Sequence, residues 1–335
     1  MESLTKKTVL TGIKPTGTPH LGNYIGAIKP ALELAKYDMN NTLYFIADYH
    51  ALTIIKDATK LKNLYYEVAA TWLALGLDPN KVIFYRQSDV PELFELNWIL
   101  ACSTAKGLMN RAHAYKAIVS DNVANGIEDV DTGVNMGLYT YPILMASDIL
   151  MFQTDLVPVG KDQIQHVEIA RDVAQRFNNE YGKTFKLPSY VVSEETAVIP
   201  GLDGRKMSKS YGNTIPIFCN SEKLRKLIYQ IKTDSKGPNE IKDTKDSTLF
   251  LIYKEFATND EVDQMKIKYE QGISWAEVKK EVFEKLDSCL KGPREKYATL
   301  LADKRQIDML IEQGGQKARE IAAPLIKKIR ERIGR

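Results

Sequence analysis

The sequence predicts an α/β protein: a doubly wound parallel sheet in its first part, then an all-helical C-terminal part. Three observations carry this. Over the first half, short apolar runs alternate with longer amphipathic stretches. A Gly/Pro-rich turn follows the first of those runs. Past about residue 215 strand signals largely vanish and helical periodicity takes over. Strand–helix alternation favours parallel pairing through crossover helices, and function in such sheets gathers at the carboxyl ends of the strands.

Thr8-Val9-Leu10-Thr11 reads as the first strand, followed by a Gly/Pro/Thr loop and a helix from about Asn23. Leu43 to Ala47 is the second strand. Over 59–75, Leu61, Leu64, Tyr65, Val68 and Trp72 recur at helical spacing, and Gly76 stops that helix as a C-cap. Val82 to Tyr85 is the third strand. Ser221 opens a helix with an N-cap signal, and Leu224, Leu227, Ile228 and Ile231 share one face. Residues 276–301 and 318–332 form two more, the last with basic residues in its final turns, which suits the helix dipole. Asn213-Thr214-Ile215-Pro216 is the junction. It separates a nucleotide-binding part with a helical insertion, 1–215, from a helical part, 216–335.

The 335 residues suffice for roughly two domains, and 44% hydrophobic with 27% charged residues is an ordinary globular balance. No apolar run approaches the ~20 residues that span a bilayer. The N-terminal residues lack the apolar stretch of a secretory signal, so a cytoplasmic protein without membrane contact is expected. Cys102, Cys219 and Cys289 are too scattered for a disulfide framework or a CxxC site. His20, His50, His113 and His166 never fall at HExxH spacing, so no resident metal is expected. A net charge of +3 permits a nucleic-acid partner without requiring one.

Two segments have the composition for phosphate chemistry. Thr11 to Asn23 runs from a strand into a helix, and Gly17 and Gly22 let backbone come close to a ligand. The helix behind it would aim free N–H groups at an anion, with His20 and Asn23 projecting from one turn. A plain Gly/Pro turn would look the same. Lys206-Met207-Ser208-Lys209-Ser210, behind a Gly-rich stretch, supplies cations and hydroxyls that could clamp a polyphosphate, although lysine–serine runs are usually solvated loops.

Together these segments resemble the two signature motifs of the class I aminoacyl-tRNA synthetases, a "HIGH"-type His20-Leu21-Gly22-Asn23 and an intact "KMSKS". The likeness covers most of 8–215, and within the tryptophan/tyrosine subgroup it fits the tryptophanyl-tRNA synthetases of bacterial type. It implies a Rossmann-type catalytic domain with an anticodon-binding helical domain. It also implies ATP and L-tryptophan as substrates, Mg²⁺ carried on the phosphates, tRNA(Trp) as partner and a homodimer. His20, Lys206 and Lys209 would be catalytic. Lys14, Pro15, Thr16, Gly22, Asn23, Gly160, Lys161, Asp162, Val198, Met207, Ser208 and Ser210 would line the ATP site. Tyr141, Met145, Asp148, Gln163 and His50 would line the tryptophan site, with Gln165 and His166 in support.

Here physics and resemblance agree. Indole has one polar atom, an N–H that donates only, so its site needs an apolar slot with one buried acceptor. Asp148 supplies a carboxylate within the run Ile143 to Leu150. Tyrosine-specific relatives carry a glutamine where Met145 stands, and a thioether packs on a ring but cannot hold a phenol. A tyrosine enzyme and a catalytically inactive RNA-binding relative are the alternatives. The intact lysine loop speaks against the second. Asp148 could instead be a salt-bridged structural carboxylate, and His50 a satisfied structural histidine. Lys14 and Leu10 depart from the family, which often has a glutamine and an aromatic residue there.

Overall fold

The computed structural model describes residues 6–36, 40–192 and 199–335. Five parallel strands form one sheet in the order β3-β2-β1-β4-β5. They are β1 (Lys7–Ile13), β2 (Asn40–Ile46), β3 (Ile83–Arg86), β4 (Leu156–Val159) and β5 (Ser189–Val192). The chain fills one side of β1 first, then crosses to the other side for β4. That reversal opens a crevice between the carboxyl ends of β1 and β4, where a parallel sheet accepts ligands.

The expected helix after the first loop begins two residues early and is interrupted. α1 (Leu21–Asn23) passes through a π turn, Tyr24–Ile28, into α2 (Lys29–Ala35). After β2 come α3 (Asp48–Ala51) and α4 (Ala58–Ala74). The Asp57 side chain caps α4 by accepting from Lys60 N, and Gly76 ends it at φ +107°. Its Trp72 is buried against Tyr44 and Phe84 beneath the sheet. Between β3 and β4 lie α5 (Glu92–Ser103), α6 (Lys106–Met109), α7 (His113–Ala124) and α8 (Met136–Met151). α9 (Ile164–Tyr181) follows β4, and α5, α8 and α9 share a core with Leu10, Phe45 and Tyr85 on the other face of the sheet.

Beyond residue 216 the described chain is helical, as α10 (Ser221–Gln230), α11 (Thr248–Tyr253), α12 (Asn259–Glu270), α13 (Trp275–Ala302) and α14 (Lys304–Arg332). Asn220, one residue before the expected position, caps α10, and Ser274 with Glu277 boxes the start of α13. Val278, Val282, Leu286 and Leu290 make the buried stripe of α13 at four-residue spacing. Packing does not break at the junction. Leu224, Met265 and Val278 share one core with Leu21, Ile25 and Met207.

α14 begins well before the expected residue 318 and returns to the sheet. Ile307 and Ile311 pack beneath it with Phe84, while Ala318, Ala322 and Ile326 join the core on the other face. Arg330 donates to Glu95 on α5 at 2.8 Å, so part of the terminal basic cluster is structural. A Cβ on Gly314 would stand 1.8 Å from the Phe84 carbonyl oxygen, and one on Gly315 would stand 2.8 Å from Asp89 Cβ. Only bare backbone fits between α14 and β3. Gly314→Ala should therefore lower the free energy of unfolding by about 1–3 kcal/mol, as overpacking does. Urea melts check this, and an unchanged midpoint would contradict the seat.

Candidate active site

The two motif segments meet. Pro19 to Leu21 is bridged to Ile215–Ile217, with Leu21 N donating to Ile215 O at 2.9 Å and Ile217 N to Pro19 O at 3.1 Å. Gly22 N donates to the Met207 thioether at 3.3 Å. Met207 is buried, so the side chain of this methionine fastens the lysine loop to α1. Ser208 N donates to Asn213 Oδ1 at 2.8 Å, and the Asn213 amide reaches Asp203. The loop is thus held from behind, with Lys206, Lys209 and Ser210 exposed and Ser208 bonded to Ser210 through their hydroxyls. A Cβ on Gly17 would lie 2.7 Å from Lys209 Nζ, so glycine is what lets that ammonium rest on the first loop.

This geometry corrects one expectation. The first N–H groups of the helix already have partners: Leu21 on Ile215, Gly22 on Met207, and Asn23 on His20 Nδ1 at 3.3 Å. The exposed donors of the lysine loop are the side chains of Lys206, Lys209 and Ser210. His20 and Asn23 form a capping box, with His20 N donating to Asn23 Oδ1. Because His20 Nδ1 accepts, the neutral ring carries its proton on Nε2. Burial, and then the nearby Lys209 ammonium, lower its pKa to about 4. Desolvation where its side chain rests on the first loop also lowers the Lys209 pKa. Along the same rim Lys14 and Thr16 are exposed and Pro15 is buried.

At the end of β4, Gly160 admits the Asp162 carboxylate within 2.8 Å of where a Cβ would sit. Gln163 Nε2 donates to Asp162 Oδ2 at 2.8 Å, and Lys161 is exposed beside them. Val198 lies outside the described residues.

Tyr141, Met145 and Asp148 stand at i, i+4 and i+7 on α8, hence on one face. Asp148 is 1% exposed, and burial raises its pKa against the hydrogen bonds that pull it down. His50 Nε2 lies 2.9 Å from Asp148 Oδ2, and Gln87 Nε2 donates to both carboxylate oxygens at 2.8 and 2.9 Å. Asp48 accepts from Ser88 N at 3.1 Å, which ties the β2 and β3 ends behind them. Sequence reasoning missed Gln87. Its signal was its place at the carboxyl end of the third strand. The Tyr141 hydroxyl is 2.9 Å from His166 Nε2, and the Tyr141 ring meets His50 edge-on. Gln165 instead ties α9 to the backbone of Arg111 and His113.

Burial foremost, with the charges of His113, His50 and Lys14, lowers the His166 pKa to about 4 as well. For both His20 and His166 the folded pKa lies below the ordinary 6.5, so the unfolded chain takes up protons first as pH falls. Neither group affects stability above that value. Between it and about pH 4 each should destabilise by up to about 1.4 kcal/mol per pH unit. Melts across this interval should show Tm falling, with His166→Gln flattening the fall. A slope identical in that variant would contradict neutral burial of the ring.

The model of the tRNA synthetases class I (W and Y) family matches residues 3–291. A tryptophan–tRNA ligase of Neisseria meningitidis is 51% identical over 331 residues, 99% of this chain and 98% of that protein. One of Pseudomonas aeruginosa is 52% identical over 329 residues, 97% of this chain and 73% of that protein. Among solved structures, the tryptophanyl-tRNA synthetase of Campylobacter jejuni complexed with ADP and tryptophan superposes with a TM-score of 0.88 at 45% identity, covering 98% of this chain and 100% of that one. A tyrosyl-tRNA synthetase of Archaeoglobus fulgidus, at 19% identity and a TM-score of 0.64, shares the fold. With one family model spanning most of its length and about half its residues shared with full-length bacterial relatives, the chain belongs to the class I tryptophan and tyrosine tRNA synthetases, in their bacterial tryptophanyl group.

Proposed function

We propose that this protein joins L-tryptophan to tRNA(Trp) in two steps. The tryptophan carboxylate attacks the α-phosphate of Mg²⁺·ATP, forming tryptophanyl-adenylate as pyrophosphate leaves. A terminal ribose hydroxyl of the tRNA then attacks the acyl carbon, and AMP leaves. Both nucleophiles belong to substrates, so the protein's part is positioning and charge stabilisation. The observation that carries this reading is the contact of the two motif segments, with Lys209 resting on Gly17, in a chain whose buried Asp148 offers an acceptor to indole.

In this reading Asp148 receives the indole N–H, Met145 packs on the ring, Tyr141 lines the same face of the pocket, and Gln163 lies near the ammonium. His50 supports Asp148. Asp162 grips the ribose, with Gly160 and Lys161 beside it. Lys14, Pro15, Thr16, Gly22 and Asn23 border the nucleotide. Neutral His20 donates from Nε2 to a phosphate oxygen, while Lys206 and Lys209, with Ser208 and Ser210, meet the charge that grows on the leaving pyrophosphate. The helices after residue 216 take the anticodon arm, and exposed Lys223 and Arg225 on α10 suit phosphate contact. The exposed apolar side chains Tyr49, Leu52, Ile54 and Trp98 offer a face for a second copy. No helix among the described residues is long and apolar enough to cross a membrane. The proposed activity belongs in the cytoplasm, where translation runs.

Pyrophosphate–ATP exchange without tRNA, run over the common amino acids, should respond to tryptophan alone. A response to tyrosine, or none, would overturn the assignment. Lys206→Ala and Lys209→Ala should each cut exchange by about a hundredfold or more, because they act on charge that develops only in the transition state. Tryptophan affinity, read by equilibrium dialysis, should barely move. Equal losses in both would mean that the loop is structural.

A further inference from the structure

Gln87 follows the last residue of β3 and is completely buried. Its side-chain nitrogen donates to both oxygens of Asp148, at 2.8 and 2.9 Å, while its Oε1 has no partner among the described residues. The orientation follows from charge, since the reversed amide would set its oxygen against a carboxylate. For stability alone this is a poor residue: an orphaned buried acceptor offsets what the other end gains. A methionine would fill nearly the same space with no orphaned acceptor of its own, but it would strip the buried Asp148 carboxylate of two donors.

We propose that Gln87 is a positioning and specificity residue, which with His50 pins the Asp148 carboxylate so that the pocket demands a ring N–H. The proposal rests on reading Asp148 as the indole acceptor. A carboxylate has about four lone-pair sites. Gln87 spans both oxygens and His50 lies 2.9 Å from Oδ2, which leaves capacity for a further donor. An arginine in place of Gln87 would neutralise and saturate the group, whereas an apolar residue would leave it free to turn toward His50. The neutral amide does neither. A ligand without the N–H then leaves a fixed, buried, charged acceptor unmet and is rejected.

Gln87→Met and Gln87→Asn test this by pyrophosphate exchange with tryptophan and with benzothienylalanine, in which sulfur replaces the N–H. Asp148→Asn is the reference. Each Gln87 variant should raise KM for tryptophan about tenfold and lower the preference for tryptophan over the thia analogue by a similar factor. KM for ATP should stay put, while Tm should fall by a few degrees, more for Gln87→Met, which strips the buried Asp148 carboxylate of both donors. The asparagine keeps the amide but withdraws it by one methylene, so its loss of preference reports reach. If the preference survives in folded Gln87 variants while Asp148→Asn loses it, the role of Gln87 is overturned and the acceptor reading stands. If Asp148→Asn also keeps the preference, the acceptor reading falls and Gln87 with it. Loss of the fold in both Gln87 variants would equally overturn the proposal, because the residue would then be structural.

Discussion

Two backbone hydrogen bonds, from Leu21 to Ile215 and from Ile217 to Pro19, join the start of the first helix to the end of the lysine loop. Much of the molecule depends on that stitch. It brings the Met207 thioether to Gly22 and rests the Lys209 ammonium on Gly17. It also commits Leu21 and Ile25 to the core of the helical part, where Val278 and Val282 of α13 are buried with them. Of the first helix N–H groups, Leu21 is used in the stitch itself, Gly22 on Met207 and Asn23 on His20.

On the other side of β1 the constraint is a buried charge. Asp148 sits among apolar residues, and an unsupported carboxylate there would take up a proton or swing away. Gln87 and His50 come from the ends of β3 and β2, so the sheet itself fixes where the donors stand. Asp48 and Ser88 brace those two strand ends against each other. α14 braces β3 from outside, with Gly314 against the Phe84 carbonyl three residues before Gln87. A packing contact of the terminal helix thus lies within one strand of the acceptor.

The first three strands, α4 with its glycine stop, and the helical texture after residue 216 were legible because each rests on local periodicity. Asp148 was legible as a lone carboxylate in an apolar run, Met145 and Tyr141 only through the family resemblance, and the helix then sets all three on one face. β5 and the interrupted helix after His20 were not, since both depend on what they pack against. The early start of α14 was hidden for the opposite reason: paired glycines argue locally against a helix interior.

Residue identity by itself determined the alternation that makes a parallel sheet, the two phosphate-side motifs and an apolar run with one carboxylate, because these follow from periodicity and side-chain chemistry. Tertiary structure decided what each of those groups faces. Met207 turned inward because the stitch carries its side chain to Gly22. The helix N–H groups were consumed because Ile215 and Met207 arrive beside them. Gln87 became a partner of Asp148 because parallel pairing sets the ends of β2 and β3 side by side, and no local pattern encodes which neighbour a strand end will meet.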